Sequence, residues 1–277
     1  MPFALVRNPT VRDVRIVELR RALDAFYGTV RGYDAFEEPG SNGEYHQLLL
    51  PSLRRFIEQV GGRVTVLEYG CGRTTFASFL DREGLRSSVR FVAQDVTAQN
   101  EAHLRSVADD VIIGDVADVG GPVHLAFSTY VLEHVASPVE HLTTIARRLA
   151  LGGKHAIFCP NYELPGYLCP SLRHLPGLER VLASAFLATS RVAAEIDRAP
   201  RFWVNVDPAV HHVAWYRDAD AVHIVSRREL ERWHRERGFT VKRLRFERPA
   251  PNVAAWKRYF LRHAITTMLL LTKTREL

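Results

Sequence analysis

The chain has 277 residues, 47% apolar and 25% charged, a composition that fits a folded globular protein and excludes a disordered or fibrous one. Its three cysteines, Cys71, Cys159 and Cys169, form no CxxC pair, which speaks against a disulfide framework or a structural zinc site and for a reducing, cytoplasmic setting. The net charge of +6 rests on dispersed arginines without the dense basic block that grips a phosphate backbone, so no nucleic acid partner is expected.

Charged residues from Arg7 to Arg20 leave no apolar stretch for a signal peptide. Thr10-Val11-Arg12-Asp13 reads as a capping box that opens an amphipathic helix running through Phe26. A Gly-containing loop over 32–43 follows, then a second helix from Tyr45 to Val60, interrupted near Pro51 and ended by Gly61-Gly62. Residues 1–62 are thus expected to form a helical cap on a main domain over 63–277. Tyr45 and His46 either close over a ligand or belong to an ordinary amphipathic helix.

From residue 63 strands and helices alternate. Val64–Tyr69 is a short apolar strand, Thr75–Leu80 opens a helix, and Val89–Ala93, Val111–Ile113 and Val123–Phe127 are further strands. Ser137-Pro138-Val139-Glu140 reads as a capping box with proline at the first helical position. The apolar residues Val139, Leu142, Ile145 and Leu149 continue that helix until Gly152-Gly153, before a fifth strand over His155–Cys159. This rhythm predicts an α/β fold with a parallel sheet and right-handed crossovers. Prolines and aromatic residues between 162 and 221 break it, which predicts an inserted lid, helical from Leu178 to Ile196. Ser226-Arg227-Arg228-Glu229 is a further capping box, with Leu230 and Trp233 inward and Gly238 at the helix end. Phe239–Phe246 reads as a sixth strand and Asn252–Arg262 as a short helix. The apolar run Ile265–Thr272, too short to span a bilayer, reads as a buried seventh strand, antiparallel to the sixth, rather than a membrane-surface helix.

The first strand ends in Glu68-Tyr69-Gly70-Cys71-Gly72, at the carboxyl edge where doubly wound sheets bind ligands. A dinucleotide fingerprint would need Gly or Ala at Thr75, and the Glu68 carboxylate would repel a diphosphate while suiting a cationic ligand. These residues resemble the acidic-x-Gly-x-Gly motif of class I S-adenosylmethionine-dependent methyltransferases, similar to the ubiquinone-biosynthesis O-methyltransferases, with Thr74 in place of their usual third glycine. Gln94-Asp95-Val96 and Gly114-Asp115-Val116 resemble the family's second and third motifs. Phe127 to Val135, Leu151 to Lys154, Pro160-Asn161 and His223 to Ser226 resemble later blocks of the same fold.

The resemblance implies a Rossmann-like, seven-stranded, mostly parallel sheet with helices on both faces and strand seven antiparallel. It implies S-adenosyl-L-methionine as cofactor and methyl transfer to a small-molecule or sugar acceptor, with oxygen the expected atom. Cofactor contacts are expected from Glu68, Gly70, Cys71, Gly72, Asp95, Val96, Asp115, Val116 and Ser128, with Asp95 on the ribose and Asp115 on the adenine amino group. Some relatives bind a metal through Glu-x-x-Glu-His, but Tyr130 stands at the first carboxylate position, so no metal is expected. His134 is the candidate general base, since imidazole titrates near neutral pH. His211, His212, Trp215 and Tyr216, with Asp218, Asp220 and His223, either line a substrate pocket or form a solvated loop. Two other classes remain: a nicotinamide-dependent oxidoreductase and a non-catalytic S-adenosylmethionine-binding module. The oligomeric state is not legible.

Overall fold

Residues 4–29, 43–164, 166–207, 220–245 and 264–276 are described by a computed structural model. The main sheet contains β2 (Val64–Tyr69), β3 (Val89–Asp95), β4 (Asp110–Ile113), β5 (Val123–Thr129), β6 (Leu149–Pro160), β8 (Phe239–Arg243) and β9 (Thr266–Lys273). Their order is β4-β3-β2-β5-β6-β9-β8, parallel except for β9, which runs antiparallel to both β6 and β8. A second, two-stranded sheet pairs β1 (Leu5–Arg7) with β7 (Trp203–Asn205). The expected seven-stranded sheet is therefore present, but the region before residue 63 contributes a strand as well as helices.

Side chains alternate across the sheet with the period of two that strands impose. On β2, Val64 and Val66 enter one core and Leu67 and Tyr69 the other; on β9, Met268 and Leu270 oppose Leu269 and Leu271 in the same way. Burial on both faces explains why these strands read as continuous apolar runs. One face is covered by α2 (Gly43–Val60), α3 (Phe76–Arg82) and α4 (Glu101–Val107), through Leu49, Leu53, Phe76, Phe79 and Leu104. The other is covered by α5 (Pro138–Arg148), α6 (Gly177–Asp197) and α7 (Arg227–Glu236), through Leu142, Ile145, Leu187, Leu230 and Trp233. A third cluster docks α1 (Val14–Thr29): Ile16, Leu19 and Leu23 pack with Ala136, Val204 and Val222.

Several helix ends depart from the sequence reading. Helix α1 starts at Val14, not after Thr10, because the Asp13 carboxylate accepts the Arg15 N–H at 3.0 Å. Helix α2 runs unbroken through Pro51. At α5 proline holds the first turn, but the Ser137 hydroxyl makes no cap bond, and Glu140 accepts the Val11 N–H at 2.8 Å instead. Gly152-Gly153 does not end α5. The helix stops at Arg148, and the glycines lie inside β6, where the pairing with β5 slips between Val123↔Leu149 and Leu125↔Lys154. The residue after this bulge re-enters register, so the glycines serve the strand. The Ser226 cap is formed, its hydroxyl accepting from Glu229 N at 3.3 Å. Strand β8 ends at Arg243; Phe246 and the short helix expected over Asn252–Arg262 lie outside the described residues, as does most of the 32–43 loop. Among the described residues no helix is long and apolar enough to cross a membrane.

Candidate active site

The strand order reverses direction between β2 and β5, and at such a switch point the loops leaving the two strands diverge and open a crevice at their carboxyl ends. A cleft of about 460 Å³ occupies this place. Gly70 and Gly72 after β2, Asp95 and Val96 at the end of β3, Asp115 and Val116 after β4, and His134 after β5 all line it. These seven residues, dispersed over 65 positions of sequence, meet because each ends or follows a parallel strand.

The loops are braced by one residue pair. Gln94 accepts the Gly70 N–H on Oε1 at 3.1 Å and donates from Nε2 to the Gly114 carbonyl at 2.7 Å, so it ties the β2 and β4 loops together. Asp95 accepts the Gly72 N–H at 2.7 Å and the Thr97 N–H at 2.9 Å. Burial pushes the Asp95 carboxyl upward, and the backbone donors of Thr97 and Gly72 counter that. Beside it Val96 is 58% exposed, an apolar side chain facing the cleft rather than the core. Asp115 accepts the Ala117 N–H at 2.9 Å, the capping role an aspartate at a strand end can fill, and also lines the cleft.

Three expected contact residues lie elsewhere. Cys71 and Ser128 are buried and outside the lining of the cleft. Glu68 is buried too, and the Thr74 hydroxyl donates to its Oε2 at 2.5 Å while accepting the Phe76 N–H at 3.0 Å. The residue standing at the third-glycine position thus holds the first N–H of α3 and satisfies the buried carboxyl. Burial, joined by the nearby Asp95 charge and opposed by the Thr74 hydrogen bond, pushes Glu68 up to about 8. A group that holds its proton at neutral pH offers no anion to a cationic ligand, so Glu68 braces the loop from below. This value lies above the ordinary carboxyl value of 4.5, so the folded chain binds the proton more tightly than the unfolded chain. The associated stability is fully present below about pH 4.5 and is lost as pH rises to about 8. Thermal denaturation of Glu68→Gln is expected to show a midpoint that gains on the wild type between these two pH values; parallel curves would contradict this account.

A methyltransferase-domain family model matches residues 36–244. The chain belongs to the methyltransferase-domain family. No curated protein matches it, but solved structures share its fold. The plantazolicin methyltransferase BpumL in complex with S-adenosylhomocysteine is 11% identical, with a TM-score of 0.53 over 94% of this chain and 98% of that one. The Burkholderia thailandensis 1,6-didemethyltoxoflavin-N1-methyltransferase is 14% identical, with a TM-score of 0.51 over 99% and 95%.

In this methyltransferase the cleft has a second wall that the sequence did not reveal. Helix α1 contributes Arg20, Leu23, Asp24 and Tyr27, one stripe at helical spacing. From the opposite side come Tyr130 and Val131. Tyr130 has φ +57°, a strained value for a bulky side chain, held by its N–H on the Phe158 carbonyl at 2.7 Å and by its hydroxyl 2.9 Å from that of Tyr45. Tyr45 therefore reaches the cleft wall, whereas His46 is buried against Phe76, Phe79 and Phe127. Among the described residues no group of three metal-ligating side chains is assembled.

Two histidines line the cleft, and their surroundings differ. His141 on α5 packs edge-on against Tyr69 at 5.0 Å, and burial pushes it down to about 4, a neutral and weakly basic ring. His134 has its Nδ1 2.9 Å from Asp220 Oδ2, and Asp220 is buried. His223 is buried with Nδ1 2.9 Å from the Leu132 carbonyl and lies outside the cleft lining. His211, His212, Trp215, Tyr216 and Asp218 lie outside the described residues.

Proposed function

We propose that the chain transfers the methyl group of S-adenosyl-L-methionine to a hydroxyl of a small-molecule or sugar acceptor, with His134 as the base that takes the hydroxyl proton. The observation that carries the choice of oxygen is the His134–Asp220 pair in the cleft. A hydroxyl is a poor nucleophile until its proton is removed, whereas a neutral amine attacks without help, so a histidine with a carboxylate 2.9 Å from its ring suits an oxygen acceptor.

The cleft fits the donor on its own features. Asp95, already fixed by two N–H bonds, offers its remaining lone pairs to a ribose diol, as the acidic residue after the second strand does in dinucleotide folds. Val96 and Val116 supply apolar surface for a purine, with Asp115 beside them as an acceptor for its amino group. Gly70 and Gly72 keep the loop free of side chains where the amino-acid end would pass. When bound, the sulfonium supplies an electrophilic methyl carbon. The chain's own residues hold the acceptor in line, exclude water with the α1 wall and Tyr130, and take the proton on His134 while the nearby Asp220 carboxylate stabilises the charge that develops on the ring.

Calorimetric titration with S-adenosylhomocysteine, with NADH as the control ligand, tests the reading. Binding of the former alone is expected; binding of NADH would favour an oxidoreductase, and binding of neither would remove the donor. In the same assay Asp95→Asn is expected to cost about 1.5–3 kcal/mol, because its amide turns a donor toward the N–H of Gly72 or Thr97 and no longer offers a carboxylate to the ribose. Unchanged affinity would take Asp95 out of the site.

A further inference from the structure

Asp220 Oδ2 receives two groups from different parts of the chain. Tyr27 on α1 donates its hydroxyl at 2.7 Å, and His134 Nδ1 lies 2.9 Å from the same oxygen, an ion-pair contact off the line of a hydrogen bond. Asp220 is 1% exposed, and a buried carboxylate needs donors to hold its position and its charge. The backbone around it is fixed: Val222 N and His223 N both donate to the Glu133 carbonyl, at 2.9 and 2.8 Å, and Asn205 N donates to the Val222 carbonyl at 2.8 Å. Asn205 ends β7, which pairs with β1 and so carries the N-terminal arm that leads into α1.

We propose that Tyr27 is a positioning residue for His134: its hydroxyl holds the Asp220 carboxylate beside His134 Nδ1, which favours the proton on Nδ1 and leaves Nε2 as the basic nitrogen. This rests on the reading of His134 as the base. A negative charge 2.9 Å from Nδ1 favours the proton on that nitrogen over the other, so a carboxylate held there biases the tautomer. The Tyr27 hydroxyl is one of the contacts that oppose rotation of the carboxylate about its last bond, and removing it weakens the bias. The arrangement also makes the base complete only when α1 is docked, the helix that walls the cleft. The proton acceptor and the cover over the ligand are thereby assembled by one contact.

Other charged and titratable groups face the same ring. Glu133 Oε1 is 4.0 Å from Nε2, Asp24 and Arg20 enter the cleft from α1, Tyr130 from the β5 end and His141 from α5. All of them stay in place when only the Tyr27 hydroxyl is removed, so Tyr27→Phe isolates the contact.

The test is two-bond ¹H–¹⁵N correlation spectroscopy of the histidine rings in the full-length protein above neutral pH, with His134 assigned by its loss in His134→Gln. The wild type is expected to show His134 protonated at Nδ1, and both Tyr27→Phe and Asp220→Ala are expected to raise the Nε2-protonated fraction several-fold. A Tyr27→Phe spectrum identical to the wild type, beside a changed Asp220→Ala spectrum, would overturn the role of Tyr27 and leave the base reading standing. A wild-type ring already protonated at Nε2 would overturn the base reading itself.

Discussion

Replacing His134 by glutamine is expected to slow methyl transfer to a hydroxyl acceptor by roughly 10²- to 10⁴-fold, the range that a positioned general base supplies. Glutamine fills similar space and keeps a polar contact toward Asp220, so the buried carboxylate is not left facing a void. Affinity for S-adenosylhomocysteine is expected to stay close to the wild-type value, because the donor's contacts lie on Asp95, Val96, Asp115 and the glycine loop. A panel of hydroxyl acceptors assayed with both enzymes provides the rates, and calorimetry provides the affinities. With a neutral amine as acceptor the same substitution is expected to change the rate by less than about tenfold, since no proton has to leave before attack. An unaltered hydroxyl rate would exclude His134 as the base. His141 would not inherit the role, since burial already holds it near 4 and proton transfer along an O–H···N bond to so weak a base gains little at neutral pH.

Much of the cleft was legible because parallel α/β topology concentrates ligand-binding residues at strand ends. Reading the two strands as Val64–Tyr69 and Val89–Ala93 already brings Gly70 and the Gln94-Asp95 pair to neighbouring strand ends, and the observed register sets Tyr69 opposite Gln94. Glycines misled where their strand context was hidden: Gly152-Gly153 looks like a helix stop, and only the β5–β6 register shows it to be a bulge. Glu68 illustrates a different limit. Its chemical type suggested a charge in the cleft, but burial and the Thr74 hydroxyl turn it into a brace, and burial is a tertiary property. Tyr27 and Asp220 are separated by 193 positions, and neither lies in a recognisable motif. Their meeting depends on the docking of α1 through Ile16, Leu19 and Leu23, which the amphipathic pattern predicts without naming the surface that receives it.

The glycine loop carries the second large effect. A Cβ at Gly70 would stand 2.6 Å from both γ-carbons of Val131, and the residue has φ +58°. Val131 has little room to yield: it follows the strained Tyr130, whose N–H is held by Phe158, and its own carbonyl accepts the His134 N–H at 2.9 Å. Gly70→Ala is therefore expected to displace both the donor loop and the turn that carries His134. Overpacking costs about 1–3 kcal/mol and the left-handed backbone about 1–2 kcal/mol for an alanine, so the loss in S-adenosylhomocysteine affinity should be on the order of 30- to several thousand-fold if the strain is relieved by leaving the binding conformation. The two contributions can be separated. Adding Val131→Ala opens the space but leaves φ unchanged, so the double variant is expected to recover the packing part only and to stay weaker than the parent. Full recovery would mean that the backbone angle is not required, and wild-type affinity in Gly70→Ala alone would mean that this loop does not cradle the donor.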